Sequence, residues 1–253
     1  MRNDLEMVCC GLPKHTEHAN IYPLGDLHLG SKECDVKLFL EWRKTVLEDP
    51  NGYVVIVGDL MDWGLKNSKT NIYEAVLTPM EQKEYLYELL LPIKERIIGG
   101  VPGNHEYRGV REAGNCPLYD VFCRLGIENV YRPNMCLIKF RLGQYRGNPI
   151  TYGICLTHGA SPNKYDKFCA SVEGINVFVS GHTHDVRHVP KAKMVVDLIH
   201  ENARVEPYQE IVVSPFQKYG GYAMRGAYTP SAIGQFQHFR LDGMVKKIGY
   251  TYQ

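Results

Sequence analysis

The sequence predicts a layered α/β sandwich with a β-rich C-terminal part, and three observations support this fold class. Five short apolar runs, each stopped by a glycine or a polar cluster, are typical of buried strands. Segments with the apolar spacing of helices lie between these runs. Beyond residue 190 the pattern changes to strands alone. Strands and helices that alternate in this way favour a layered α/β arrangement.

The five apolar runs are rich in β-branched and aromatic residues, which fit a pleated and buried surface. They are NIYPL (20–24), YVVIV (53–57), RIIGGV (96–101), ITYGICL (150–156) and NVFVS (176–180). We expect each of them to form a strand.

Helices are predicted between the strands. They cover residues 35–49, 117–125, 163–174 and a segment that begins at Pro79. In that segment Thr78 is the expected N-cap and Glu81 its capping-box partner. Gly126 is expected to end the helix over 117–125.

The C-terminal part contains the apolar runs KMVVDLI (193–199) and EIVVSPF (210–216). A further pair of runs over 237–252 is joined by Asp242 and Gly243, and an Asp-Gly pair is a strong hairpin signal. Neither a Pro-rich or Ser-rich linker nor an internal repeat divides the sequence, so we expect one domain over residues 1–253.

Composition excludes some classes of protein. The chain has 253 residues, 44% of them hydrophobic, and its 29 Lys and Arg against 28 Asp and Glu leave a formal net charge of +1. Nothing global therefore indicates a nucleic-acid or membrane partner. No apolar run approaches the ~20 residues of a membrane-spanning helix. The eight cysteines contain no CxxC pair, so we expect reduced thiols and a cytoplasmic protein.

Cys9 and Cys10 with His15 and His18 could form a small zinc site. Adjacent cysteines are poorly spaced for tetrahedral ligation, however, and an irregular N-terminal strand and loop is the preferred interpretation.

A short polar segment, here termed a polar tip, follows each of the five strands predicted over residues 20–180. The tips are LGDLHLG (24–30), VGDLMDWG (57–64), VPGNHEY (101–107), LTHGA (156–160) and SGHTHD (180–185). Ligands bind at the carboxyl edge of open α/β sheets, because loops converge there and the strands fix their positions. We therefore expect the tips to meet in space.

The tips share side chains that bind metals. They hold Asp26, His28, Asp59, Asn104, His105, His158, His182 and His184, which include five of the ten histidines. Each tip alone would be interpreted as an ordinary polar turn. Together they offer the mixture of carboxylate, amide and imidazole that borderline divalent metals accept, and too much nitrogen for a dedicated calcium or magnesium site.

These blocks resemble the calcineurin-like metallophosphoesterase superfamily, whose pattern is D-x-H, G-D-x-x-D, G-N-H-D/E, a lone His and G-H-x-H. All five blocks are intact and in order over residues 20 to 190. The resemblance implies an α/β/β/α sandwich of the metallophosphoesterase type.

The resemblance also implies two divalent metal ions. Asp26, His28, Asp59 and His184 would hold one, and Asp59, Asn104, His158 and His182 the second. Asp59 would bridge the ions at ~3.5 to 4 Å separation. Manganese is our first choice, with iron, zinc, nickel or cobalt as alternatives, because metal supply as well as ligand type decides occupancy.

The implied activity is hydrolysis of a phosphoric ester by direct attack of a metal-bridging hydroxide, with His105 as the general acid. Asp62 and Glu106 are candidates for orienting histidines or water, although solvated loop carboxylates are nearly as plausible. A phosphodiesterase is the first interpretation, because a general acid matters most when the leaving oxygen is poor.

Two alternatives remain open. A DNA or RNA nuclease would use Arg108 and Arg111 to bind substrate phosphates, aided by aromatic and basic residues of KYGGYAMRGAYTP (218–230). Because the net charge is near zero, rim and packing residues are the preferred interpretation of these side chains. The other alternative is a non-catalytic binding scaffold with this fold. The expected partner is thus a phosphoester, which could be a nucleotide or a nucleic acid, and the sequence does not determine the oligomeric state.

Overall fold

Two stacked sheets and their covering helices organise the chain in the computed structural model. The structure describes residues 5–66, 68, 72–225, 227, 229–231, 233 and 236–251, with only the backbone at 72 and 222. The strands are β1 (Val8–Gly11), β2 (His18–Leu24), β3 (Gly52–Ile56), β4 (Ile97–Gly100), β5 (Met135–Tyr145), β6 (Asn148–Thr157), β7 (Val177–Ser180), β8 (Arg187–Asp197), β9 (Asn202–Val212), β10 (His238–Asp242) and β11 (Ile248–Thr251). The helices are α1 (Val36–Glu48), α2 (Pro79–Leu90), α3 (Asn104–Ala113), α4 (Pro117–Leu125), α5 (Pro162–Ser171) and α6 (Gly221–Arg225).

The two sheets are mixed. One sheet has six strands in the order β1-β5-β6-β7-β9-β8, and the other has five in the order β11-β10-β2-β3-β4. Strands β2, β3 and β4 run parallel, and so do β6, β7 and β9. Because parallel strands end at the same edge, the segments that follow them converge there.

Three apolar clusters define four layers. Between the sheets, inward-facing side chains such as Ile21, Val55 and Ile154 are fully buried. Helices α1, α2 and α4 cover the outer face of the five-stranded sheet with residues such as Trp42. Helix α5 covers the outer face of the six-stranded sheet through Tyr165 and its neighbours. The predicted α/β/β/α sandwich is therefore confirmed.

The residues predicted to begin α2 and to end α4 do so in the structure. The Thr78 side chain accepts a hydrogen bond from the Glu81 backbone N–H, while the Glu81 carboxylate accepts one from the Thr78 N–H at 2.8 Å. Gly126 ends α4 in the left-handed region at φ 74°.

Three features differ from the sequence prediction. Asp242 closes a loop longer than a two-residue turn, because its carboxylate accepts hydrogen bonds from the Met244 and Val245 N–H groups and pairing resumes only at Ile248. Helix α3 was not predicted, since Gly109 interrupts its weak apolar periodicity. Strand β5 was also missed, although its buried side chains alternate from Cys136 to Leu142.

The N-terminal cysteines lie on strand β1. Cys9 is exposed, whereas Cys10 packs against the core between the sheets, so the two side chains point to opposite faces. Within the part of the chain that the structure describes, no helix is long and apolar enough to cross a bilayer.

Candidate metal centre

All five polar tips meet at the carboxyl edge of the two sheets. Asp26 and His28 follow β2, Asp59 follows β3, Asn104 and His105 open α3 after β4, His158 follows β6, and His182 and His184 follow β7. The seven predicted metal ligands therefore come together, although they are contributed by both sheets.

The first donor group consists of Asp26, His28 and His184. The Nε2 atoms of the two histidines face each other at 3.2 Å. An Asp26 carboxylate oxygen lies 3.4 Å from Nε2 of His184 and 3.9 Å from Nε2 of His28. Asp26 and His28 are buried, so this half of the site lies deep.

The second donor group consists of Asp59, Asn104, His158 and His182. An Asp59 oxygen lies 3.2 Å from Nε2 of His158. The Asn104 side-chain oxygen lies 2.9 Å from Nε2 of His158 and 2.8 Å from Nδ1 of His182. Asn104 and His182 are exposed, so this half of the site opens to solvent.

Asp59 lies between the two groups. One carboxylate oxygen of Asp59 lies within 4.8 Å of a ring nitrogen of His158 and of one of His182. A carboxylate oxygen of Asp59 also lies within 4.8 Å of a ring nitrogen of His28 and of one of His105. This is the position that a carboxylate shared by two cations would occupy.

The donor atoms fit divalent cations. Ligands about 2.1 Å from a cation lie about 3 to 4 Å apart, since they occupy neighbouring or opposite sides of it. The separations of 3.2, 3.4 and 3.9 Å in the first group fall in this range. Imidazole together with carboxylate suits zinc, manganese, iron and related metals.

A backbone contact fixes which ring nitrogen His158 turns toward the site. Nδ1 of His158 lies 2.7 Å from the Val57 carbonyl oxygen. Because a carbonyl only accepts hydrogen bonds, Nδ1 carries a proton, and Nε2 is the nitrogen that a cation in the site would reach. The sequence could not predict this contact, because every residue has a backbone carbonyl.

The tips adopt an unusual backbone conformation. Five of the seven predicted ligands, Asp26, His28, Asp59, His182 and His184, have φ between 49° and 72°. This left-handed region costs about 1–2 kcal/mol for a residue other than glycine.

Close backbone packing accompanies these left-handed tips. The Asp26 N–H donates to the Gly58 carbonyl at 3.0 Å, and the Asp26 carboxylate accepts the His182 N–H at the same distance. A Cβ at Gly103 would lie 2.1 Å from an Asp59 oxygen. The glycines of the motifs therefore leave room for the ligands.

Glu106 supports the backbone around Asp59. Its carboxylate is fully buried and accepts hydrogen bonds from the N–H groups of Asp59 at 2.9 Å, Gly103 at 2.8 Å and Met61 at 3.0 Å. The sequence suggested that Glu106 orients histidines or water. In the structure it instead fixes two ligand-bearing loops to each other.

His105 lies beside the donor groups. Its Nδ1 is 2.7 Å from the Asp62 carbonyl oxygen, so this nitrogen carries a proton, and its Nε2 is 3.8 Å from an Asp59 oxygen. The Asp62 carboxylate lies 3.3 Å from Nδ1 of the same ring and 3.9 Å from Nδ1 of His28. The Asp62 carboxylate therefore lies beside the His105 ring and within 4 Å of the His28 ring, and its orienting role stays a prediction.

The two arginines of the third block have different surroundings. Arg108 donates to the Asp62 carbonyl at 3.0 Å, so its guanidinium is tied to the site backbone. Arg111 is exposed in the last turn of α3. The structure thus leaves Arg111 more accessible to a ligand than Arg108.

The charges of the site determine its protonation. Burial lowers the pKa of His28 to about 3, so its ring is neutral, as a ligand must be. Burial also acts against a charged His158, but the carboxylates of Asp59 and Asp26 outweigh it and raise the His158 pKa to about 10. Against the effect of burial, the neighbouring histidines hold the pKa of Asp59 well below its usual range. The carboxylates thus attract positive charge, which bound cations would supply.

A match to a family model defines the class of the protein. The model of the calcineurin-like phosphoesterase family matches residues 19–186. The chain belongs to this family.

Several solved structures match the chain at low sequence identity. Vps29 from Entamoeba histolytica, solved with zinc, is 11% identical, with a TM-score of 0.41 and coverage of 92% of this chain and 98% of that one. The calcineurin-like phosphoesterase YfkN from Bacillus subtilis has the same identity and TM-score and coverage of 94% and 90%. GAP50, the anchor in the inner membrane complex of Plasmodium, is 9% identical, with a TM-score of 0.47 and coverage of 94% and 84%. No curated protein matches the sequence significantly.

Proposed function

We propose that the protein is a phosphodiesterase that uses two divalent metal ions and His105 as its general acid. The observation that carries this proposal is the position of Asp59 between two donor groups, with Nε2 of His105 beside it. A site with one donor group would bind a single cation and could not hold a phosphate between two.

Each donor group would hold one cation. Asp26, His28 and His184 would bind the first, Asn104, His158 and His182 the second, and Asp59 both. When bound, the cations supply Lewis acidity toward phosphoryl oxygens and lower the pKa of water toward neutrality. The exposed positions of Asn104 and His182 leave the second group accessible to a substrate.

The role of His105 follows from its two nitrogens. The Asp62 carbonyl fixes the ring through Nδ1, and Nε2 remains to give a proton to the leaving oxygen. The field of Asp59 and the contact with Asp62 raise the His105 pKa in spite of burial, which favours the protonated ring. An alkoxide leaves poorly without such a proton, so this arrangement supports a diester substrate.

A substrate panel tests the proposal. The protein with Mn²⁺ should hydrolyse bis(p-nitrophenyl) phosphate faster than p-nitrophenyl phosphate, and EDTA should abolish both reactions. Zinc, cobalt, nickel and iron are tested in parallel, since the donor set accepts them all. A protein that binds metal but turns over none of these esters would instead support the non-catalytic scaffold.

The nuclease alternative has less support from the described contacts. Arg108 donates to the Asp62 carbonyl, and Arg225 forms an exposed ion pair with the Glu74 carboxylate at 3.4 Å. Tyr219 is partly exposed, whereas the Tyr222 side chain and Tyr228 lie outside the described residues. Single- and double-stranded DNA in the panel, assayed at two salt concentrations, would reveal a nuclease through a steep loss of activity with salt.

A further inference from the structure

Strands β8 and β9 form a long hairpin at one side of the six-stranded sheet. They pair in continuous antiparallel register from Arg187 opposite Val212 to Asp197 opposite Asn202. At its base the hairpin belongs to the sandwich, because Ile211 lies in the core between the sheets and His188 stacks on Tyr250 at 3.9 Å. The hairpin extends beyond these contacts over residues 190–207, and this part is called the arm.

One face of the arm continues the interior face of the sheet. Residues directly opposite each other in an antiparallel pair share a face, and every second residue along a strand returns to it. Counting outward from the His188–Ile211 pair, the next pair on this face places Gln209 opposite Pro190. The Gln209 side-chain oxygen lies 2.6 Å from Nε2 of His188 at the base. Apart from Gln209, the positions of the interior face from this pair outward carry apolar or small side chains. These positions, the apolar arm face, are Pro190, Ala192, Met194, Val196, Ala203, Val205 and Pro207.

The apolar arm face is exposed. Met194 is 72%, Val205 69% and Val196 58% accessible. At the turn, Leu198 and Ile199 are 85% and 87% accessible. Such a continuous apolar surface is unusual on a monomer and marks an interaction site.

The other face of the arm is polar, so the arm is amphipathic. Lys191 lies 2.9 Å from the Glu210 carboxylate, and Arg204 lies 2.8 Å from Glu206. Lys193 donates to the Val172 carbonyl at the end of α5. The polar face is therefore satisfied by contacts within the chain, whereas the apolar face is not covered by any described residue.

We propose that the apolar arm face binds the same face of a second copy of this chain, forming a two-fold symmetric dimer. In a two-fold interface every contact occurs twice and the side chains at the axis meet their own copies, which is unfavourable for charges and harmless for Pro, Ala, Met and Val. Two sheet faces with such side chains pack as they do inside a β-sandwich. The formal net charge of +1 adds little repulsion between copies.

The available area is close to what a dimer needs. A buried aliphatic side chain removes roughly 60–120 Å² from water, so the seven face residues and the two turn residues offer on the order of 700 Å² per copy. A standard interface uses about 800 Å² per partner.

The edge of β8 is poorly suited to pairing with another strand. Pro190 lacks an N–H group, and Lys191 and Lys193 place charges along the same strand. The two copies therefore meet through the apolar arm face and not through a continuous sheet.

A bilayer is a less suitable occupant. The turn carries Asp197 and Glu201 next to Leu198 and Ile199, so insertion would bury carboxylates. The arm also lacks the basic cluster that attracts anionic lipids.

Sedimentation equilibrium with a matched pair of variants tests the dimer. The wild type should be dimeric at about 100 μM, and Val196→Glu should weaken dimerisation by at least about 100-fold, because the new carboxylates would be buried and unpaired. Val195→Glu, on the opposite face, should leave the dimer intact. A monomeric wild type, or equal dissociation of both variants, would overturn the proposal, and binding of the monomer to vesicles would identify lipid as the occupant instead.

Hydrogen exchange on the wild type gives a second readout that requires no variant. Dilution from about 100 μM to about 1 μM should speed amide exchange in residues 190–207 at least about tenfold, while exchange in β2 and β3 stays constant. Exchange in the arm that does not depend on concentration would contradict the dimer. Neither experiment depends on the proposed phosphodiesterase activity.

Discussion

At the scale of single residues, the ligands of the candidate metal centre occupy strained positions. Asp26, His28, Asp59, His182 and His184 all have positive φ, which the surrounding hydrogen bonds and tight glycine packing enforce. The fold thus holds the donor side chains at the site before any cation arrives. Such preorganisation strengthens binding, because little conformational freedom remains to be lost.

Asp59 is the residue on which both donor groups depend. Asp59→Asn removes the charge that both cations would share, so metal content should fall below one ion per chain and turnover should be lost. Metal analysis of the purified variant and the diester assay measure these effects. Asp185→Asn, an exposed carboxylate in the same loops, is the matched control and should keep both metals. Two bound metals and normal turnover in Asp59→Asn would refute the bridge.

His105 should affect turnover without affecting metal content. His105→Ala should retain both metals and lose about 10²- to 10⁴-fold in kcat on a diester with an alkyl leaving group. The loss should be much smaller with p-nitrophenolate, which needs little protonation. His200→Ala, on the exposed β8–β9 turn, is the control. An equal loss on both esters would show that His105 does not act as the acid.

The sequence predicted which side chains meet but not how they are held. Asp, His and Asn at strand ends are visible as motifs, and their convergence follows from the strand order. The left-handed backbone of Asp26 or His182 is not visible, because local preference favours other regions for these residues and only tertiary contacts impose it. The hydrogen bonds of Glu106 to three backbone N–H groups likewise depend on the approach of two separate loops.

At the scale of elements, the start of α3 and the end of β3 are packed in direct contact. Gly103 has φ −95°, which any residue can adopt, so the reason for glycine is space. A Cβ there would lie 2.1 Å from an Asp59 oxygen and 2.4 Å from its backbone nitrogen. Both elements must separate to accept a side chain.

Gly103→Ala should therefore displace Asp59. We expect a loss of about 2–4 kcal/mol in the free energy of unfolding and at least tenfold weaker metal binding. Chemical denaturation and metal titration measure the two effects. Gly11→Ala is the control, because its Cβ would meet no atom closer than 3.7 Å. Equal behaviour of both variants would show that the loops yield to the added methyl group.

Helix α1 is joined to the five-stranded sheet through Asp49 at its C-terminal end. The Asp49 carboxylate accepts hydrogen bonds from the Asn20 side chain at 2.8 Å, the Tyr22 hydroxyl at 2.9 Å and the Asn51 N–H at 2.9 Å. Although burial acts in the other direction, these donors lower the Asp49 pKa below its ordinary 3.8. Its stabilising contribution is thus complete above pH 3.8 and is lost as the pH falls through the lower folded-state value.

Asp49→Asn should destabilise the protein by about 1–2 kcal/mol near pH 7 and by less near pH 3. Urea denaturation at both pH values measures the difference. Glu48→Gln, in an exposed ion pair with Lys44, should have little effect at either pH. A destabilisation by Asp49→Asn that does not change with pH would show that its charge is unimportant.

Helix α3 and strand β5, which the sequence analysis did not predict, differ in whether their sequence pattern could have identified them. Helix α3 has Gly109 in its interior and few apolar residues, because its packing is dominated by the site and by close contact with neighbouring loops. Its start at Asn104 was therefore interpreted only as a polar tip. Strand β5 differs, since the alternation from Cys136 to Leu142 was present in the sequence and could have identified it.

At the scale of the whole molecule, metal binding and folding should be coupled, because the donor groups join both sheets. A cation that binds only the folded state at 100 times its Kd stabilises it by about 2.7 kcal/mol, which corresponds to a rise in Tm of about 5–10 °C for a chain of this size. Mn²⁺ should raise the Tm by at least this amount, and Mg²⁺ by less, since the site is rich in nitrogen.

Differential scanning fluorimetry of the EDTA-treated protein measures this shift. Asp59→Asn provides the control, because it should respond weakly to Mn²⁺. No shift with any transition metal would mean that the donor groups do not hold cations in the folded protein.

The unequal depth of the two donor groups has a kinetic consequence. A cation among Asp26, His28 and His184 would have two buried ligands, Asp26 and His28, whereas one beside Asn104 and His182 would border bulk water. Departure of the inner ion requires the loops to part, while the outer ion leaves by simple ligand replacement. A chelator should therefore strip the protein in two phases, with a half-loaded species persisting between them.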